Sequence, residues 1–117
     1  MTKVRIGIDV MGGDFAPSAT IEGSVLALEN LNDSIEIVLI GDQDQITNEL
    51  KKNQVDSCAF SIVHAHEIIE MGDHPTKAFV QKPNSSIALG FSLLKKGLID
   101  GFASAGNTGA MFVGGYM

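Results

Sequence analysis

The sequence predicts an α/β fold, a doubly wound and mostly parallel sheet with helices on both faces. Two observations carry that expectation. Strand-like runs alternate along the chain with segments of helical period, and such alternation places consecutive strands parallel, joined by right-handed crossovers. The run from Ile35 to Ile40 is almost continuously aliphatic, the pattern of a strand buried on both faces and therefore of a sheet covered on both sides.

The elements follow in order. Val4, Ile6, Ile8 and Val10 alternate with Arg5, Gly7 and Asp9 ahead of Gly12 and Gly13, which reads as a strand and a turn. Pro17, a favoured first helical residue, opens a segment in which Ile21, Val25 and Leu28 recur at helical spacing until Asn32 and Asp33 end it. After the strand Ile35–Ile40, closed by Gly41 and Asp42, the pair Asp42 and Gln45 resembles a capping box for a short helix carrying Ile46 and Leu50. Phe60 to Val63 is a third strand, ending at His64-Ala65-His66. From Glu67 to Pro83 no period is sustained, so a long connection is expected, and such connections are often functional. Asn84-Ser85-Ser86 then offers caps for a helix with Ile87, Phe91 and Leu94 on one face, Lys95 and Lys96 in its last turn and Gly97 as terminator. Leu98 to Ala103 is the fourth strand, and Ser104 to Gly109 turns into an apolar helix at Ala110 to Val113.

No repeat or low-complexity tract interrupts residues 1–117, so they read as one α/β portion without an internal boundary. The pattern stops at Met117, inside an apolar helix with no obvious partners, which predicts the N-terminal part of a longer enzyme, truncated after about the fourth strand. With 44% hydrophobic residues the chain can bury a core without disulfides or structural metal. Fourteen acidic residues against 8 basic ones argue against nucleic acid, whose phosphates demand clustered cations. The single Cys58 excludes an internal disulfide, and no secretory leader is visible, which points to the cytoplasm.

In doubly wound sheets, ligands bind beyond the carboxyl ends of the strands, where loops converge and helix N-termini present free N–H groups. The segment Ser104 to Gly109 is the best anion cradle there. Gly106 and Gly109 allow close backbone approach, and Asn107 and Thr108 add donors at a helix start. A helix terminus favours an anion by only about 0.3 to 1 kcal/mol, so a phosphate dianion needs a cation as well, for which Lys77 or Lys82 is at hand. The competing reading is that these glycines only permit a tight turn.

Asp9, Gly12, Gly13 and Asp14 form a second candidate, two carboxylates bracketing a flexible turn that can orient a lysine, bind a metal or accept a proton. A haloacid-dehalogenase phosphatase requires a carboxylate where Met11 stands, and a sugar-kinase turn leads into a hairpin, whereas here Pro17 opens a helix. Neither a dinucleotide fingerprint nor a P-loop occurs, and carboxylates that merely cap a turn remain the plain alternative. His64, His66, Asp73 and His74 lack specific metal-ligand spacing, so no metal or cofactor is expected. Cys58 has no basic neighbour in sequence and no Gly-x-Ser-x-Gly elbow exists, so no covalent nucleophile is expected. Met71, Phe79, Met111 and Phe112 read as core, with a lipid-accepting groove as the alternative.

The string Ile8-Asp9-Val10-Met11-Gly12-Gly13-Asp14-Phe15-Ala16-Pro17, with Ser104-Ala105-Gly106-Asn107-Thr108-Gly109-Ala110, resembles the bacterial phosphate acyltransferases of phospholipid synthesis. The resemblance extends through Ile69-Glu70-Met71, Pro75, Lys82 and Ser85-Ser86, while Val80 stands where many members carry arginine. It implies a fold like that of phosphotransacetylases and isopropylmalate-type dehydrogenases. It also implies an activity, conversion of fatty acyl-acyl-carrier-protein and inorganic phosphate to acyl phosphate, which feeds a downstream glycerol-3-phosphate acyltransferase. Members are about three times longer, so the rest of the sheet, homodimer contacts and part of the acyl site are implied to lie elsewhere. A lipid product further implies peripheral association with the inner membrane. Acyl transfer to phosphate needs no enzyme nucleophile, because a positioned phosphate oxygen can attack the thioester. On this scheme Gly106, Asn107, Thr108 and Gly109 bind phosphate, Asn107 and Lys82 assist catalysis, and Ser85 or Ser86 adds a donor. Asp9 and Asp14 orient backbone and cations, since a carboxylate at close range repels phosphate. An acyl-coenzyme A phosphotransacetylase, or a non-catalytic module binding a phosphometabolite or protein partner, are the rival functions.

Overall fold

The computed structural model describes residues 3–70 and 72–116, so Met71 and Met117 lie outside the described residues. The elements run β1 (Val4–Asp9), α1 (Ser18–Asn30), β2 (Ile35–Gly41), α2 (Gln43–Lys52), a 3-10 turn at Ser57–Ala59, β3 (Ser61–His64), α3 (Pro75–Gln81), α4 (Ser86–Lys95), β4 (Gly101–Ala103) and α5 (Thr108–Tyr116). The four strands lie in the order β3-β2-β1-β4, and every pair is parallel.

The predicted alternation holds, and its physical basis is visible on β2. Ile37 and Leu39 face a core with Ile21 of α1 and Ile46 and Leu50 of α2. Val38 and Ile40, one residue out of phase, face a second core with Ile99, Leu89 and Leu93. Successive side chains of a strand point to opposite faces, so an unbroken aliphatic run is what a doubly covered strand requires. A third cluster of Ile69, Ala78, Ile87 and Ala110 joins α3, α4 and α5. Gly90 lets α4 settle on the sheet, since a Cβ there would lie 2.2 Å from the Phe102 ring.

Two expectations need correction. The stretch Glu67–Pro83 is not an unstructured connection, because it contains α3. Seven residues make barely two turns, too few for a period to emerge, but Pro75 occupies the first turn and the His74 imidazole accepts a hydrogen bond from Lys77 N–H, a local start signal present in the sequence. The fourth strand is shorter than Leu98–Ala103. Leu98 N–H instead closes the end of α4 on Leu93 O, and Asp100 accepts from Arg5 N–H to bring the chain alongside β1.

The strand order fixes where chemistry can occur. From β1 the chain winds through β2 to β3 in one direction, then returns across the sheet to place β4 on the other side of β1. The turns leaving β1 and β4 therefore diverge to opposite faces, opening a crevice at their carboxyl ends. Asp9 and Ala103 end those two strands, and the glycine turns singled out from the sequence follow each of them.

Candidate active site at the switch point

A cleft of about 240 Å³ lies at this crevice, lined by Met11, Gly12 and Gly13 from the first turn, Gly106 from the second and Ile68, Ile69 and Glu70 from the connection after β3. Asp9 is buried behind it, only 2% exposed. One carboxylate oxygen accepts from Met11 N–H at 3.0 Å and the other from the Ser104 hydroxyl at 2.7 Å, while Ser104 Oγ accepts from Gly106 N–H at 3.0 Å. A single carboxylate thus ties the two turns together. Gly12 permits this closeness, since a Cβ there would come within 2.8 Å of both Asp9 Oδ2 and Gly106 N, and Gly13 adopts a φ of 104°, a region that disfavours side chains. Asp14, the residue after Gly13, is exposed and takes no part in these hydrogen bonds.

Asn107 is 4% exposed and its side chain is committed. Its carbonyl oxygen accepts from Ala110 N–H at 2.9 Å, the capping arrangement that satisfies an orphan donor at a helix start. Its amide nitrogen donates to Glu70 O at 2.8 Å and to Asp73 O at 3.1 Å. The side chain therefore straps the connection after β3 to the head of α5, and as placed it offers no spare donor to a ligand. Among the described residues the backbone N–H groups of Asn107, Thr108 and Gly109 donate to no partner. They belong to the orphan donors of a helix start, where the peptide dipoles favour an anion.

Lys82 reaches the same connection from the end of α3. Its ammonium donates to Ile68 O at 2.8 Å and to Asp73 Oδ2 at 3.0 Å, leaving one of three hydrogens unassigned. Glu70 N–H, and after it the Lys82 ammonium, hold the Asp73 carboxyl below its ordinary range. A carboxyl depressed in the folded state stabilises it above the unfolded pKa of about 3.9 and loses that contribution as pH falls through the folded value. Asp73→Asn should therefore flatten the acid limb of stability below about pH 4, measured as urea midpoints from pH 5 to 2.5; an unchanged limb would show that the pair is inert.

Ser85 is fully buried and caps α4 by accepting from Ala88 N–H at 3.2 Å, and Ser86 N–H donates to Glu67 O. The structure thus brings Asp9, Gly12, Gly13 and Gly106 to one crevice and ties Asn107 to it through Glu70 O, whereas Lys82 bonds Ile68 O but lines a separate depression with Asp73, His74 and Lys77. Ser85 and Ser86 stand at the start of α4, which reaches the crevice through Ile87, whose Cδ1 would lie 3.3 Å from a Cβ on Gly106. Ser104 figures in the sequence reading only as the first residue of the anion-cradling segment and Asp73 only as an unspecific metal candidate; the hydrogen bonds that give them a place here were not foreseen. Their partners are 95 and 9 residues away in sequence, respectively.

The remaining candidates do not line this cleft. His64 accepts from Gln43 N–H, and His74 caps α3. Cys58 is exposed, and a hydrogen bond to the Asp56 carboxylate pushes its thiol up, the reverse of an activated nucleophile. Phe79 and Met111 pack in the cluster of α3, α4 and α5, and Phe79 also lines a separate, mainly apolar cleft of about 450 Å³ with Phe91 and Leu94. Phe112 is 72% exposed, so it is no part of that core. Val80 lies on the exposed side of α3. Among the described residues no helix is long and apolar enough to cross a membrane.

The decisive comparison concerns the family. A model described as "Fatty acid synthesis protein" matches residues 4–117, both glycine turns included. The chain belongs to this family. Its members of similar sequence include phosphate acyltransferases from Caldicellulosiruptor bescii, 46% identical over 114 residues, and Thermoanaerobacterium thermosaccharolyticum, 44% identical over 111. A phosphate acyltransferase from Clostridioides difficile is 40% identical over 112 residues. The matches cover 97%, 95% and 96% of this chain but 34%, 32% and 32% of those relatives, so the chain spans about a third of their length. The resemblance noted from the two glycine motifs is thereby shown at the level of the family.

Proposed function

We propose that this chain forms the N-terminal third of an acyltransferase that converts fatty acyl-acyl-carrier-protein and inorganic phosphate to acyl phosphate for phospholipid synthesis. The observation that carries the reading is the row of N–H groups at Asn107, Thr108 and Gly109 that have no partner among the described residues, set at the switch point of a chain whose relatives are phosphate acyltransferases. These donors would seat the phosphate. The hydroxyl of exposed Thr108 adds a further donor, while the missing side chain of Gly109 makes room for Pro75, whose Cγ would lie 2.2 Å from a Cβ there.

In the reaction a phosphate oxygen attacks the thioester carbonyl carbon, an oxyanion forms, and the C–S bond breaks. The phosphopantetheine thiol departs with the proton that the phosphate gives up. No enzyme nucleophile is needed, so the work of the protein is positioning and stabilisation of charge. Lys82 would supply positive charge beside the strapped connection, and Asn107 would act by holding the head of α5 rather than by touching phosphate. Hydrogen bonds from Met11 N–H and Ser104 occupy the Asp9 carboxylate and keep it turned toward the protein. The whole enzyme would act as a homodimer in the cytoplasm or at the inner-membrane surface, with the docking surface for the acidic carrier protein outside this net-acidic portion.

The test is product formation by the full-length protein. Acyl phosphate should accumulate from palmitoyl-acyl-carrier-protein and phosphate, faster than from palmitoyl-coenzyme A. Preference for the coenzyme A ester would favour the phosphotransacetylase reading, and no product from either would leave a binding module.

A further inference from the structure

Asp9 is a buried carboxylate with no cation bonded to it among the described residues. Such a group costs free energy to bury unless hydrogen bonds compensate it, and an apolar residue could fill the same space more cheaply. Its hydrogen bonds run in one direction. Gly106 N–H donates to Ser104 Oγ, the Ser104 hydroxyl donates to Asp9 Oδ2, and Met11 N–H donates to Asp9 Oδ1. A hydroxyl that gives its proton to a carboxylate becomes a better acceptor, so the Asp9 charge strengthens the Gly106 bond.

Glycine at 106 has wide backbone freedom, and one hydrogen bond decides which way the peptide linking Ala105 to Gly106 is turned. That peptide immediately precedes the N–H groups of Asn107, Thr108 and Gly109, which have no partner among the described residues. With Gly106 N–H turned inward on Ser104, the orientation of the next peptides is set before any ligand arrives. We propose that Ser104 is a positioning residue for the oxyanion ligand of this turn, transmitting the Asp9 carboxylate to the Gly106 peptide. It does not touch the ligand. The inference rests on the phosphate-binding reading of the turn and adds to it the pair that presets the turn.

The experiment is steady-state kinetics of the full-length protein with phosphate as varied substrate, alongside isothermal calorimetry with orthophosphate. Ser104→Ala should raise the KM for phosphate at least tenfold while kcat at saturating phosphate changes less than threefold, and Ser104→Thr, which restores a hydroxyl, should recover most of the affinity. A purely structural role would lower the folded fraction without this split and without rescue by threonine. Asp9→Asn serves as the second arm. It preserves volume and the acceptor for Met11 N–H but presents a donor to Ser104, and it should reproduce the rise in KM. An unchanged phosphate KM in either Ser104→Ala or Asp9→Asn overturns the inference while leaving the site reading intact. Absence of phosphate binding by the parent protein overturns the site reading itself, and this inference with it.

Discussion

Gly12→Ala is expected to lower turnover of the full-length protein by roughly 10²-fold or more, because misplacing reacting groups by about 1 Å has that cost. The new methyl carbon would stand 2.8 Å from Gly106 N, 2.8 Å from Asp9 Oδ2 and 2.9 Å from Ser104 Oγ. None of these atoms can step aside easily. One is backbone, and the other two belong to the part-buried hydrogen-bonded pair of Ser104 and Asp9. The turns after β1 and β4 would have to separate, and overpacking of this kind costs about 1 to 3 kcal/mol of stability besides. Gly23→Ala is the matching control, since its Cβ would meet nothing within 4 Å in α1. It should leave turnover unchanged and add up to about 1 kcal/mol of helix stability. Equal kinetics for Gly12→Ala and the parent would remove the crevice from the reaction.

Asn107→Ala should lower turnover by about 10²-fold and also destabilise the fold. Loss of a helix cap alone costs about 0.5 to 2 kcal/mol, and Glu70 O and Asp73 O would lose their donor. Asn107→Asp separates the two roles. Its carboxylate still accepts from Ala110 N–H, so capping survives, but it can no longer donate to the two carbonyls and faces them with negative charge. Thermal melts should show a smaller loss for Asp than for Ala, while turnover stays low in both. Full activity in Asn107→Asp would show that the strap to the connection after β3 is dispensable.

The architecture was legible in the sequence because it is written in period. The unbroken run on β2 announces a sheet covered on both faces, and the alternation of elements leads to a parallel order. Capping was equally local. Asp42 accepts from Gln45 N–H and Ser85 caps α4 as their positions suggested. What escaped the sequence is contact between distant residues. Asn107 looked like a free donor because its partners at Glu70 and Asp73 lie 37 and 34 residues away. Ser104 opens the anion-cradling segment but was given no role of its own, because the carboxylate that gives it one comes from the opposite end of the chain. Lys82 looked like a free cation for phosphate, whereas it also holds Ile68 and Asp73. Proximity at a topological switch point could be anticipated from fold class, but which side chains remain available after folding could not.

On the proposed function the head of α5 seats an oxyanion through backbone N–H groups. Crystals of the full-length protein soaked in orthophosphate at concentrations bracketing its calorimetric Kd test this most directly. A phosphate is expected within hydrogen-bond distance of Thr108 and Gly109 N–H, with the Asn107 side chain still bonded to Ala110, Glu70 and Asp73. Phosphate bound tightly at another site, with these N–H groups left to solvent, would contradict it.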